Sequence, residues 1–295
     1  MACSDNTVLA PEGCLPCQNG TFISFSGWSE CEPLLNCSNI ALHVHPRKRI
    51  FGSFTKQIWL ADWKSHQVIY MNCSRPFLKT KCLRGMTRLE QLQGPYVTRL
   101  IGRCYDKLEM VTMFYKHGSL RRLDRLLKQP ELSHYNNIRT RLQLSVDYVK
   151  IMSYLHNSPM GVLVMCDTVS LRKLLSQFLI TDDFRLVVND LDMALEVTQE
   201  KGILCHKSEK ELRPFEAPEQ RWPIFRKDLT HDEKVDIWKF PAVVEKLLDG
   251  VNGSSFAKSE LRKMMETCRA TNPEQRPTSN EVLQELLRIQ QLITE

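Results

Sequence analysis

Three acidic positions stand where the chain leaves short apolar stretches, and such positions can carry chemistry. Met165-Cys166-Asp167 follows one stretch, and Val188-Asn189-Asp190-Leu191-Asp192 follows another. A carboxylate beside an attacking hydroxyl can accept its proton, the role suited to Asp167. A second carboxylate facing anionic oxygens can hold a hard divalent cation, the role suited to Asp190. Asp192 adds a further carboxylate, read either as a metal ligand or as a surface cap. A lone aspartate at a strand end is usually only a turn or a cap. What gives these weight is their order with Ala217-Pro218-Glu219, Asp236-Ile237-Trp238 and Gln275-Arg276-Pro277 further along.

The elements that must position them are legible as periodicity. Short apolar and aromatic runs, Ile58-Trp59-Leu60 and Val68-Ile69-Tyr70-Met71, predict strands over 50–73. A helix is predicted over 77–92, stopped by Gly94-Pro95, then two strands around a turn at Asp106-Lys107. Beyond residue 116 the pattern turns helical. Leu142, Val146, Val149 and Met152 recur at helical spacing, with small strands expected at 162–165, 178–180 and 186–188. Helical character resumes from Asp232, and Thr278-x-x-Glu281 reads as a capping box before Val282, Leu286, Ile289 and Ile293. The order predicts an α+β protein with a small strand-rich lobe, 45–115, and a larger helical lobe, 116–295.

Composition fixes the class of environment. The chain has 295 residues, 42% hydrophobic and 25% charged, which excludes disorder over most of its length. The net charge of +6 is dispersed. Its one tight run, Arg47-Lys48-Arg49, reads as a solvated patch, and no interleaving of aromatic and basic residues suggests a nucleic-acid partner. Five of the 11 cysteines fall in the first 37 residues, so residues 1–44 are expected to form a loop-rich segment tied by disulfides. Cys14-x-x-Cys17 alone could be half a zinc site, but no second half follows. Asn19, Asn36, Asn72 and Asn252 each open an N-x-S/T triplet. With the cysteines they point to an oxidising, glycosylating compartment, the endoplasmic reticulum or beyond. No signal peptide opens the chain, and no run of about 18 apolar residues spans a membrane.

Taken in order, the acidic motifs resemble the catalytic loop, the DFG aspartate, the APE motif, the DxW helix and the distal arginine of protein kinases. The resemblance covers about residues 45 to 290. It implies phosphoryl transfer from ATP with Mg²⁺ or Mn²⁺. It makes Gly52-Ser53-Phe54 the tip of a glycine-rich loop and the segment Thr112, Met113, Phe114 and Tyr115 the hinge that receives adenine. Glu219 and Arg276 become a buried ion pair bracing the activation segment. Four departures stand out. Met71 occupies the slot of the phosphate-holding lysine, and Lys56 on the neighbouring strand is the candidate substitute. The helix glutamate that usually pairs with that lysine is ambiguous, Glu90 being the only acid there. Cys166 replaces the HRD arginine, so activity is expected without activation-loop phosphorylation. About five extra residues follow Asp167, which puts Gln177 where the metal-binding asparagine belongs.

The runs Val164-Met165-Cys166-Asp167, Ser176-Gln177-Phe178-Leu179 and Asp236-Ile237-Trp238-Lys239, with the Asp190 run, resemble the protein O-mannose kinase family. The resemblance implies transfer of the ATP γ-phosphate to the 6-hydroxyl of mannose in the GalNAc-GlcNAc-mannose trisaccharide of α-dystroglycan. It also implies the lumenal portion of a type II endoplasmic reticulum protein, with the membrane anchor removed. Nothing in spacing or composition reports the sugar. Two other readings remain open from the residues: a kinase-fold binding module without activity, and a lumenal Ser/Thr/Tyr kinase.

Overall fold

A computed structural model describes residues 7–10, 13–17, 20–23, 31–52, 56–73, 79–198, 202–203, 205, 215–220 and 231–294. The chain divides into two compact units, Met1–Lys116 with Val188–Met193, and His117–Val187 with Ala194–Glu295. The class is α+β.

The first unit opens on two small antiparallel hairpins, β1 (Thr7–Ala10) with β2 (Gly13–Pro16) and β3 (Thr21–Ile23) with β4 (Cys31–Pro33). Helix α1 (Cys37–His43) follows, with the Asn36 side chain accepting from Asn39 N–H at 2.9 Å as its N-cap. A five-stranded antiparallel sheet then forms from β5 (Val44–Gly52), β6 (Lys56–Trp63), β7 (His66–Cys73), β8 (Leu100–Cys104) and β9 (Glu109–Met113), in the order β5-β6-β7-β9-β8. The β6–β7 hairpin turns at Lys64, whose φ of 53° is the left-handed geometry that two-residue turns demand. Helix α2 (Lys79–Gln91) joins β7 to β8. One sheet face buries Ala61, Trp63, Val68, Ile101 and Val111 with Phe22 and Ile40. Disulfides link Cys17 to Cys31 and Cys37 to Cys104, so the latter bond ties α1 to β8.

Strand β5 is an exposed edge. Pro46, two register shifts and the exposed Arg47, Lys48 and Arg49 protect it from pairing with another chain.

The second unit contains α3 (Leu123–Leu126) and α4 (Ile138–His156), followed by β10 (Leu163–Met165), α5 (Leu171–Leu175), β11 (Phe178–Ile180), β12 (Leu186–Val188) except for its last residue, and β13 (Ala194–Glu196). Three helices close it: α6 (Lys234–Leu247), α7 (Ser254–Cys268) and α8 (Ser279–Thr294). Helix α4 packs on α6 and α8. The stripe Leu142, Val146, Val149 and Met152 is buried in α4, as are Val282, Leu286 and Ile289 in α8. Thr278 and Glu281 bond reciprocally, the Thr278 N–H donating to Glu281 at 2.7 Å and the Glu281 N–H to Thr278 Oγ1 at 3.2 Å. Strand β10 pairs antiparallel with β13, which brings the chain to Asp167.

Among the described residues Cys268 is the free cysteine. It is buried, and burial pushes its thiol up to about 12, which keeps it unreactive.

Candidate active site

In the first unit, register decides what Lys56 can do. Ile58 lies opposite Met71, and Lys56 lies opposite Cys73. Side chains two residues apart share a face. Lys56 therefore stands a diagonal step from Met71, on the face opposite Ala61 and Trp63. Met71 is itself buried. The Lys56 Nζ sits 2.8 Å from Asp190 Oδ1 and 3.1 Å from Asp192 Oδ2. Burial would lower its pKa, but the two carboxylates, Asp190 foremost, raise it above the usual lysine range. The lysine is charged, and it is not solvent-facing.

Asp192 is not a surface cap. It is 3% exposed, and the chain around it is held on the first unit by Thr98 N–H to Val188 O and Val188 N–H to Tyr96 O, both 2.8 Å. Gly85 of α2 makes the close approach possible, since a Cβ there would stand 2.9 Å from the Asp192 Cβ. A disulfide from Cys73 to Cys82 ties the start of α2 to the end of β7. Burial raises the Asp192 pKa against the lowering effect of Lys56, with Asp190 adding to the rise; Lys81, at 3.8 Å, lowers it. A carboxylate so placed gains from a nearby cation, and its oxygens suit a hard one, so Asp190 and Asp192 fit the divalent metal that a kinase needs.

Glu90 takes another partner. Its Oε2 lies 2.5 Å from Arg103 Nε and accepts from the Tyr105 hydroxyl at 2.7 Å. Gly52 ends β5 beneath the Arg49 guanidinium. Ser53 and Phe54 lie outside the described residues. Thr112 is buried in β9, Met113 ends it, and Tyr115 accepts from Arg99 N–H at 3.4 Å. The Met113 N–H donates to Arg99 O at 3.0 Å, so it is already committed.

In the second unit, Asp167 follows β10 and is part-exposed. Its Oδ2 lies 2.8 Å from Lys173 Nζ of α5. Gln177 is buried and donates through Nε2 to Asp167 O at 3.4 Å. The residues inserted after Asp167 thus form a helix. It is N-capped by Ser170, whose Oγ accepts from Lys173 N–H at 3.2 Å.

Beneath this loop is a buried polar brace. Asp236 Oδ2 accepts from Met165 N–H at 3.0 Å, and Lys239 Nζ donates to Asp236 at 3.0 Å and to Thr168 Oγ1 at 2.6 Å. Burial opposes ionisation of Asp236, yet Lys239, His156 and the Met165 N–H together hold its carboxyl below the usual range. Its ionised form therefore stabilises the fold above about pH 4, the ordinary carboxylate pKa. That stabilisation is lost as the pH falls through the depressed value.

Arg276 is fully buried and grips Glu219 through two bonds, Nη1 to Oε1 at 2.6 Å and Nη2 to Oε2 at 2.8 Å. It also donates to Ala270 O and Lys234 O. Glu219→Gln leaves a buried guanidinium without its counter-charge, and a loss of about 3–5 kcal/mol is expected in urea denaturation.

Cys166, next to Asp167, is disulfide-bonded to Cys205, 39 residues on, and both are buried. The Cys205→Ser variant, compared with the parent chain by denaturation under non-reducing conditions, is expected to lose about 2–5 kcal/mol.

Sequence reasoning missed Lys173 and Gly85 and gave no role to Lys239, which it quoted only as part of the Asp236 run. A lysine inside an insertion carries no signal until the insertion is known to be a helix. Lys239 stands three residues after Asp236, the spacing of helix neighbours, and could have been found that way.

No family model matches the chain. Among curated proteins, Protein O-mannose kinase of Xenopus laevis is 38% identical over 261 residues, covering 86% of this chain and 74% of that protein. Protein O-mannose kinase of Homo sapiens is 36% identical over 297 residues, covering 96% of this chain and 84% of that protein. Dual specificity protein kinase pyk3 of Dictyostelium discoideum is more distant, 24% identical over 262 residues, covering 80% of this chain and 18% of that protein.

Proposed function

This chain belongs to the protein O-mannose kinase family, and from that membership we propose that it transfers the ATP γ-phosphate to the 6-hydroxyl of mannose in the GalNAc-GlcNAc-mannose trisaccharide of α-dystroglycan. It is a phosphotransferase with an alcohol acceptor, built on a kinase-like fold, and a kinase of this family implies ATP and a divalent metal. Its disulfides suggest a secretory or lumenal compartment. The endoplasmic reticulum lumen is our reading of which one.

The observation that carries the reading is Lys56 between Asp190 and Asp192. It argues that the charge missing at Met71 has moved to the next strand and has not been lost. A binding module has no use for a buried lysine and two carboxylates at that position.

In the reaction, Asp167 accepts the proton of the mannose 6-hydroxyl as that oxygen bonds to the γ-phosphorus. The bond from phosphorus to the bridging oxygen of ADP breaks, ADP leaves, and Asp167 later returns its proton to solvent. Lys56 neutralises charge on the phosphates. The Met113–Tyr115 backbone receives adenine through groups other than the committed Met113 N–H, with Thr112 behind it in β9, and Gly52 belongs to the loop over the phosphates. Asp190, Asp192 and the Oε1 of Gln177 would hold Mg²⁺ or Mn²⁺, which supplies charge neutralisation at the phosphate oxygens. The Glu219–Arg276 pair and Asp236 are structural.

Because Cys166 stands where other kinases have the arginine that receives an activation-loop phosphate, phosphatase-treated protein should keep its activity. We place glycans at Asn36 and Asn252, which are exposed, and count the half-buried Asn72 of β7 as a further acceptor triplet. Asn19 lies outside the described residues.

The test is an acceptor panel with ATP and Mg²⁺: the trisaccharide, free mannose, and Ser, Thr and Tyr peptides. Transfer to the trisaccharide alone is expected. Transfer to peptides would favour a lumenal protein kinase, and transfer to nothing by folded protein would favour a binding module.

A further inference from the structure

Around Asp167 the second unit fixes three different groups by three different side chains. Gln177 holds the Asp167 carbonyl oxygen. Buried Lys239 holds Thr168, the next residue, whose hydroxyl also donates to Met165 O at 2.6 Å. Lys173 holds the Asp167 side chain itself, Nζ to Oδ2 at 2.8 Å. The first two fix the backbone of the loop, and the third fixes the direction of the carboxylate.

Lys173 is prepared for that contact. Its N–H donates to Ser170 Oγ, and its C=O accepts from the Ser176 hydroxyl at 2.6 Å and the Ser176 N–H at 3.1 Å. Leu174 and Leu175, the next residues of α5, are buried and anchor the helix, while Arg172 on its other side is exposed. A helix of five residues has little stability alone. Here its caps and two leucines hold it, and they hold Lys173 at the carboxylate.

An ion pair with side chains 37% and 29% exposed contributes little to stability. Its effect must be sought in the reaction. A carboxylate with one oxygen held by an ammonium group keeps a single rotamer and presents its other oxygen in a fixed direction. Orientation of that kind governs rate, since misplacement by about 1 Å can cost about 100-fold.

We propose that Lys173, on the helix inserted after Asp167, is a positioning residue for phosphate transfer: it holds Asp167 Oδ2 so that Oδ1 meets the acceptor hydroxyl. The proposal rests on the kinase reading above and on Asp167 as the base.

The experiment compares wild type, Lys173→Met, Lys173→Arg, Asp167→Asn and the Asp167→Asn/Lys173→Met double variant in transfer to the trisaccharide at saturating Mg²⁺·ATP. Lys173→Met is expected to lower kcat about 10- to 100-fold with KM for ATP within about twofold, and Lys173→Arg to recover most of the loss. In the Asp167→Asn background, Lys173→Met should change the residual rate less than about twofold, because a residue acting only through Asp167 has nothing left to act on. Should the melting temperature of Lys173→Met fall by more than a few degrees, Lys173→Gln is measured in its place, with the same expectations. A kcat within about twofold of wild type would overturn the proposal. So would an equal loss in both backgrounds, which would mean that Lys173 acts on the phosphate or the fold directly. Failure of the wild-type protein to transfer to any acceptor would instead reject the kinase reading beneath it.

Discussion

Lys56→Met should leave no measurable phosphate transfer and lower stability by about 3–5 kcal/mol. The lysine is buried with its Nζ at 2.8 and 3.1 Å from two carboxylates. Removing it leaves Asp190 and Asp192 facing each other, with Lys81 at 3.8 Å from Asp192 as a poor substitute. Asp192 already has a raised pKa from burial, and it would rise further without Lys56. Nucleotide binding should fail as well: Mg²⁺·ATP is expected to raise the melting temperature of the parent protein and to leave that of the variant unchanged. Intact nucleotide binding and turnover in the variant would show that Lys56 serves the fold alone.

Asp167→Asn should behave differently. The amide cannot accept the hydroxyl proton, so kcat should fall by about 10²–10⁴-fold. The side chain is part-exposed and its partner Lys173 is too, so folding should be unaffected. The shift in melting temperature with Mg²⁺·ATP should persist. The two variants therefore separate phosphate binding from proton transfer. A variant Asp167→Asn with undiminished kcat would remove Asp167 from the base role.

Much of the fold was readable in the sequence, for identifiable reasons. Helices α4 and α8 carry apolar stripes long enough to fix their period. Strands β6 and β7 are rich in branched and aromatic residues, so they declared themselves. Lys56 is a candidate only through the kinase resemblance, which puts Met71 in the lysine's slot and leaves Lys56 on the neighbouring strand as a substitute. In the structure the register sets Lys56 and Met71 on one face.

Other features depend on contacts between distant residues, which periodicity does not carry. The hairpins of the N-terminal stretch have strands of three or four residues, too short for alternation to show. The residues leave Asp192 open as metal ligand or surface cap; its burial depends on Gly85, more than 100 residues away, letting α2 close over it. Glu90 stood alone as the helix acid, yet Arg103 and Tyr105 claim it. The pairing of Cys166 with Cys205 is a choice among many that spacing leaves open. Lys173 depends on an insertion folding into a capped turn of helix.

The most direct measurement is the position of the phosphate in the product. The wild-type protein, ATP and the GalNAc-GlcNAc-mannose trisaccharide are incubated with Mg²⁺, and the purified product is read by phosphorus–proton correlation NMR. A phosphorus signal coupled to the two protons on mannose C6 is the predicted result. Phosphorus on another carbon or another sugar, or an unmodified glycan from folded protein, would contradict the account.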